Sequence, residues 1–375
     1  MNEEAELNRR LKFHWRLLQG GESRGVTTRA TGASQRATGL PDLEHQIEFC
    51  RQAEASGITG LLTDVGASKP DPILLAAGLG LAVERIEFIV AYRSGLTLPT
   101  TFVQQLNTLS ALVNGRVSLN IVAGHSPLEQ RYYGDCLAHH ERYARTEEFL
   151  AICHAFWQNN GPVNFSGKYY RIEEGKLNTP FISPHRSFPE LFIAGGSDEA
   201  RNLAISQGTL WMRLADTPEN LRSSVPPVLA AGKEVGLRMS IIARPTREEA
   251  VRAAYQLLAA LEPSMRDREN EARFMIRSDS VSINATYALA EKEWLNHYLW
   301  TGAIRTHGAP AVALVGSFEE VASALIDYAS IGVTQFILSG WPKLDEMILF
   351  GKEVLPRVRE LESALNLHAI SGTGH

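Results

Sequence analysis

Apolar positions along the chain alternate between two periods. Short runs rich in β-branched and aromatic residues lie at 11–17, 58–63, 86–91, 117–122, 191–194, 209–214, 239–243 and 335–338. Between them, apolar residues recur at helical spacing. Leu43, Ile47 and Cys50 form one stripe that ends on Glu54; Phe102, Leu106, Leu109 and Val113 form another, with Gly115 placed as its C-terminal stop. Runs such as IEFIVA (86–91) are nearly continuous in apolar residues, the pattern of a sheet covered on its outer face. Eight such runs alternating with helices, the early ones about 30 residues apart, point to an α/β protein built as a (β/α)8 TIM barrel. A doubly wound open sheet is the alternative, weakened because no glycine-rich dinucleotide turn follows any strand.

Two stretches interrupt the repeat, and both read as insertions in a single barrel domain over 1–375. Residues 124–189 hold HHERYARTEEFL (139–150) and VNFSGKYYRI (163–172), the latter reading as a small hairpin about Ser166-Gly167-Lys168. Residues 262–315 open with dense charge and reach into WTGAIRTHGAPAVALVG (300–316). Placed after strands four and seven, both would rise from the C-terminal face, where barrel active sites are built. The second reads either as a lid over a substrate or as a solvated connector.

Candidate chemistry begins at ELFIAGGSDEA (190–200), an apolar strand running into Gly195, Gly196 and Ser197 and then an acidic helix start. Such a turn offers free backbone N–H groups and the positive end of a helix dipole to an anion. It reads either as a phosphate site or as an ordinary strand-to-helix turn. The 139–150 helix carries His140, Arg142, Tyr143 and Arg145, of which a Tyr and an Arg could close over the same phosphate. One phosphate turn without a second nucleotide motif fits a mononucleotide cofactor.

Composition narrows the partners. The 375 residues are 44% hydrophobic and 21% charged with a net charge of −5, which argues against nucleic acid or an anionic membrane as the main partner. The three cysteines, Cys50, Cys136 and Cys153, lack metal-type spacing, and Cys50 and Cys153 fall inside helical apolar patterns as core thiols. The N-terminus has no apolar signal region and no apolar run approaches a membrane span, so a cytoplasmic protein is expected.

Taken together, GITGLLT (57–63), TLSALVNGRVSLNIVAG (108–124), HHERYARTEEFL, VNFSGKYY, LFIAGGSDEA, ALVGSFEEVA (313–322) and LSGWPKLDE (338–346) carry a family signature. From roughly Asp42 to Val358 the chain resembles the bacterial luciferase-like flavin monooxygenases, most closely the alkanesulfonate monooxygenase group. The resemblance implies a barrel that binds reduced FMN supplied by a separate NAD(P)H:flavin reductase. O2 adds at flavin C4a, and the peroxyflavin oxidises a substrate beneath a lid. A homo-oligomer, dimer or tetramer, is expected.

The resemblance also assigns residues. Asn120 and His125 at the end of strand four would face the flavin ring, with a purely structural amide the alternative for Asn120. Tyr143 and the Gly195-Gly196-Ser197 turn match the family's phosphate site; Arg142 and Arg145 serve either that site or the helix surface. Asp64 and Tyr92, at the ends of strands two and three, are further flavin candidates. Arg238 matches an arginine near flavin and substrate and could hold the developing peroxide charge. His307 aligns with the sulfonate enzymes' lid arginine, with Arg305 close enough to substitute; their early histidine is absent, and the segment FHWRLLQGGE supplies His14 and Gly20 instead. His307 or His14 could move the proton. Lys69, Ser240 and Trp341 stand where those enzymes keep a cysteine, a histidine and a tyrosine.

These departures point to a small organic substrate other than a simple alkanesulfonate. Alternatives are an alkanesulfonate monooxygenase releasing sulfite and aldehyde, a deazaflavin-dependent oxidoreductase, and a non-catalytic flavin-binding protein. A metal-dependent barrel hydrolase lacks its expected His-x-His or carboxylate cluster, and no metal is implied.

Overall fold

A computed structural model of the chain describes residues 10–19, 41–67, 69–259 and 278–371. With strands numbered in chain order, eight close into a parallel barrel: β1 (Lys12–Arg16), β2 (Gly60–Thr63), β3 (Glu87–Tyr92), β4 (Val117–Val122), β7 (Glu190–Ala194), β8 (Leu210–Leu214), β9 (Glu234–Arg238) and β13 (Val333–Leu338), the last pairing back onto β1. Between β4 and β7 lie the His139–Gln158 helix and an antiparallel hairpin of β5 (Val163–Ser166) and β6 (Arg171–Gly175). Between β9 and β13 lie β10 (Ser240–Arg244), β11 (Leu299–Trp300) and β12 (Ala313–Ser317), a three-stranded sheet beside the barrel. Much of the charge-rich start of the second insertion lies outside the described residues. No described helix is long and apolar enough to cross a membrane.

The local signals act as their chemistry predicts. The helix Leu43–Ala55 is capped by Asp42, whose side chain accepts from the His45 N–H. The helix Pro99–Leu112 ends as Asn114 and Gly115 turn to φ of 52° and 76°, the left-handed conformation that stops a helix. The hairpin is pinned to the long helix by Glu148, which accepts from the Lys168, Tyr169 and Tyr170 N–H groups at 2.7, 2.8 and 3.2 Å.

One apolar run is not the barrel strand it resembles. Residues 239–243 read as the seventh strand, but β9 ends at Arg238 and pairs with β8 and β13. Ser240–Arg244 instead pairs with Ala313–Ser317 in the side sheet. The inward positions of β9 are Glu234, Gly236 and Arg238, two charges and a missing side chain, so hydrophobicity hides the true strand and highlights its neighbour.

Alternation along each strand sorts the core into two. Phe13, Trp15, Leu61, Phe88, Val90, Leu119, Ile121, Leu191 and Ile193 face the helices, while Leu62, Ile89, Ala91, Phe192, Leu210, Met212 and Ile337 fill the bore. Each fully buried Phe or Leu contributes about 1.5–3 kcal/mol, and covering both faces explains the continuous apolar runs. Cys50 and Cys153 are buried in the outer layer, and burial pushes the Cys50 thiol up to about 12, as expected of core thiols.

Candidate active site at the C-terminal mouth of the barrel

The same alternation decides which side chains reach the mouth. On β1 and β2 the inward register continues from His14 to Arg16 and from Leu62 to Asp64. Arg16 Nε donates to Asp64 Oδ2 at 2.5 Å, and Arg238 Nη1, at the end of β9, lies 3.7 Å from Oδ1. Gln19 clasps the Asp64 backbone, donating to its carbonyl at 3.0 Å and accepting from its N–H at 2.6 Å. Burial opposes ionisation of Asp64, but Arg16, Arg238 and Lys69 outweigh it and hold the carboxyl well below the usual carboxylate range. Two guanidinium groups and an ammonium around one ionised carboxylate make a preorganised electrostatic centre at the mouth.

A second group lies after β7. Gly195 has φ +147°, and a Cβ there would stand 2.7 Å from both the Tyr143 hydroxyl and Ala200 Cβ. The chain therefore passes Tyr143 as closely as glycine permits. Trp211 Nε1 donates to the Gly195 carbonyl at 2.7 Å and holds the turn. Ser197 caps the Asp198–Gln207 helix, accepting from the Ala200 N–H at 3.3 Å, and is bonded to Tyr143. Burial raises the Tyr143 phenol, which keeps its proton as a donor. Ser282, from the second insertion, closes over the turn, 3.1 Å from where a Gly196 Cβ would stand. Gly195, Gly196, Ser197 and Tyr143 thus meet at one helix N-terminus, with Ser282 added from an element the turn motif does not reveal.

On β4 the inward residues are Ser118, Asn120 and Val122. Asn120 is 7% exposed and its Oδ1 has no hydrogen-bond partner. A buried amide oxygen in this state inside the bore has its acceptor capacity open. His125 follows on the loop, its carbonyl accepting from the Asp279 N–H at 3.1 Å.

Several expected site residues prove to be structural. Tyr92 points outward, its ring centroid 4.1 Å from that of Phe102 at a tilt of 32°, and is bonded through its hydroxyl to Thr97 at 2.7 Å. The inward residue at that rim is its neighbour Arg93, 3% exposed. His14 faces inward but low in the bore: it is fully buried, and its Nε2 meets Gln335 Oε1 at 2.9 Å. Gln335 in turn donates to Glu190, the first residue of β7, so His14 belongs to the polar floor at the N-terminal end and not to the mouth. Arg142 is consumed by the Ala123 and Leu137 carbonyls and both Asp279 oxygens, and Arg145 by the Ser94 carbonyl and Asp135. They brace the rim, and Tyr143 is the residue of this helix that meets the Gly195-Gly196-Ser197 turn.

The β9–β13 insertion holds the remaining candidates. Ser240 is 1% exposed and donates its hydroxyl to the Pro310 carbonyl at 3.0 Å, so it anchors the side sheet. His307 packs edge-on to Trp341 with ring centroids 5.0 Å apart, and its Nδ1 meets Thr306 Oγ1 at 2.8 Å. Arg305 lies exposed on the same short helix, and Lys69 sits half-buried on the β2 loop. Burial pushes His307 from 6.5 down to about 4, so the ring is neutral across physiological pH.

That shift has a stability consequence. A histidine whose folded value is depressed binds its proton more readily when unfolded, so the fold loses stability as pH falls through the window from 6.5 to about 4. His307→Gln is expected to remove about 2 kcal/mol of the acid sensitivity between roughly pH 7 and 5. Urea unfolding midpoints of both proteins at the two pH values measure it, and parallel pH profiles would contradict it.

Comparison with known proteins agrees with this architecture. Residues 22–335 match the luciferase-like monooxygenase family. The chain is similar to the EDTA monooxygenase of Chelativorans sp. BNC1, with 24% identity over 94% of each chain and a TM-score of 0.73. It is also similar to a riboflavin lyase solved with modified FMN and riboflavin, with 19% identity over 94% of this chain and 92% of that one and a TM-score of 0.72. An F420-dependent secondary alcohol dehydrogenase shares the fold too, with 18% identity over 93% and 99% of the two chains and a TM-score of 0.64. With the closed parallel barrel and its charged mouth, the family match leads to one conclusion: this chain belongs to the luciferase-like monooxygenases.

Proposed function

We propose that the protein is a reduced-FMN-dependent monooxygenase, fed by a separate flavin reductase, that oxygenates a small organic molecule other than a simple alkanesulfonate. The observation that carries this reading is the meeting of the Tyr143 hydroxyl with the Gly195-Gly196-Ser197 turn, opposite a bore where Asn120 Oδ1 has no partner. These residues fit a flavin mononucleotide. The Gly196 and Ser197 backbone and the Tyr143 phenol would hold its phosphate, and Asn120 would accept from its ring system. When bound, the reduced flavin supplies the electrons that activate O2, sending one oxygen atom to substrate and the other to water. Arg238, with Arg16 behind Asp64, stabilises negative charge that develops at the mouth. His307, neutral at physiological pH, is suited to accept a proton or a hydrogen bond rather than to donate one from a charged ring.

The substrate side argues against sulfonates. A sulfonate pocket needs charge-assisted donors. His307, aligned with the sulfonate enzymes' arginine, is uncharged at neutral pH, and the Ser240 hydroxyl is spent on Pro310. The test supplies purified protein with FMN, reductase and 18O2 and offers alkanesulfonates, EDTA and other aminopolycarboxylates, sulfones and alkanes. Mass-shifted product from a non-sulfonate with little sulfite release is expected. Efficient sulfite production would overturn the substrate reading. Binding of the deazaflavin F420 in place of reduced FMN would overturn the cofactor reading.

A further inference from the structure

One carboxylate joins two segments of the rim without belonging to the charged cluster. Glu129 lies on the short helix Pro127–Tyr132 that follows β4. Its Oε1 accepts from the Ala67 N–H at 2.8 Å, and its Oε2 accepts from Arg93 Nη1 at 3.2 Å. The carboxylate rests against Gly66, where a Cβ would stand 3.1 Å from Oε1. Gly66 opens the turn that the Lys69 N–H closes onto the Gly66 carbonyl at 3.0 Å. This turn continues directly from Asp64 and presents Lys69.

The other end of the bridge is a buried cation. Arg93 is 3% exposed, its guanidinium lies 4.8 Å over the Tyr133 ring, and its Nε and Nη2 have no hydrogen-bond partner. Among the described residues Glu129 is its only paired carboxylate. A desolvated guanidinium with one anion depends on that anion, and losing one partner of such a pair leaves an uncompensated charge that moves the surrounding backbone.

We infer that Glu129 is a positioning residue: by bridging Arg93 and the Ala67 amide it latches the turn after β2, so that Asp64 and Lys69 are held at the barrel mouth. The restraint stands on geometry alone; its effect on turnover rests on the proposed monooxygenase activity. Arg93 anchors the latch from β3, Glu129 spans it from the loop after β4, and the turn after β2 is the part held.

Glu129→Gln keeps an oxygen for the Ala67 N–H and removes the charge facing Arg93, whereas Glu129→Ala removes both contacts. Hydrogen exchange read by mass spectrometry on the full chain should quicken at least tenfold over residues 64–70 in Glu129→Ala and to a lesser degree in Glu129→Gln, with the β7 turn unchanged. In the reductase-coupled assay with the substrate found in the panel above, Glu129→Gln should raise KM about tenfold. It should also lower kcat several-fold, because the loosened Asp64 orients Arg238, and leave the reduced-FMN Kd within twofold, because the Gly195-Gly196-Ser197 turn is untouched. Exchange over 64–70 that matches the parent in both variants overturns the latch, whatever the substrate proves to be. Faster exchange with an unchanged KM, or with FMN binding lost, overturns the positioning role. Faster exchange in a protein that oxygenates nothing supports the latch and sinks the monooxygenase reading instead.

Discussion

Replacing Ser197 by glutamate is expected to abolish reduced-FMN binding while the barrel stays folded. Ser197 sits at the junction of β7 and the Asp198–Gln207 helix, where its hydroxyl caps the helix and bonds Tyr143. A carboxylate there would face the phosphate at the same helix N-terminus. Two unit charges about 4 Å apart repel by roughly 4 kcal/mol at an effective dielectric near 20, on the order of a thousandfold in Kd. Ser197→Ala is the graded control. It removes only the cap and the Tyr143 bond, costing about 1 kcal/mol of stability and about tenfold in affinity. Anaerobic fluorescence titration with reduced FMN, alongside circular dichroism melts, separates the two effects. Glutamate-variant affinity within tenfold of the parent would put the phosphate elsewhere.

Arg238→Gln is expected to lower kcat by two to three orders of magnitude while reduced-FMN affinity changes only a few-fold. Arg238 lies 3.7 Å from Asp64 and shares that carboxylate with Arg16, so its charge is fixed before substrate arrives. Removing a preorganised donor that faces developing negative charge typically costs about 10²–10³ in kcat. Glutamine keeps much of the side-chain volume and a donor but no charge, so a loss here reads as electrostatics and not as a hole in the wall. Single-turnover oxygenation with prebound reduced FMN is the measurement. A parent-like rate would move Arg238 from charge stabilisation to a structural partner of Asp64.

Much of this was written in the order of residues. Seven of the eight barrel strands coincide with apolar runs because a strand buried on both faces must be apolar at nearly every position. The Gly195-Gly196-Ser197 turn was visible because a glycine pair and a capping serine between strand and helix have a backbone reason to be there. Asp64 was visible as a polar residue at the end of an apolar strand and Asn120 as an amide inside one, whereas Arg238, on the strand that hydrophobicity hides, came only from the family resemblance. Arg16 and Arg93 could have been found by the same logic, since they continue the inward register of β1 and β3 two residues beyond His14 and Ala91.

What sequence order alone determined, then, is the barrel and the glycine-serine turn between β7 and the helix that follows it, both consequences of local backbone geometry and of which faces must be buried. Tertiary structure decided which polar side chains are spent and which remain open to a ligand. Tyr92 and Arg93 are adjacent, yet one packs against Phe102 and the other reaches Glu129, a partner 36 residues away. Arg142 looks like a phosphate ligand until both carboxylate oxygens of Asp279, 137 residues on, accept from its guanidinium. His14 and Ser240 are likewise claimed by Gln335 and Pro310. The physical reason is common to all of them: a buried polar group must find its partner, and the fold brings that partner from a strand or loop that sequence proximity does not identify.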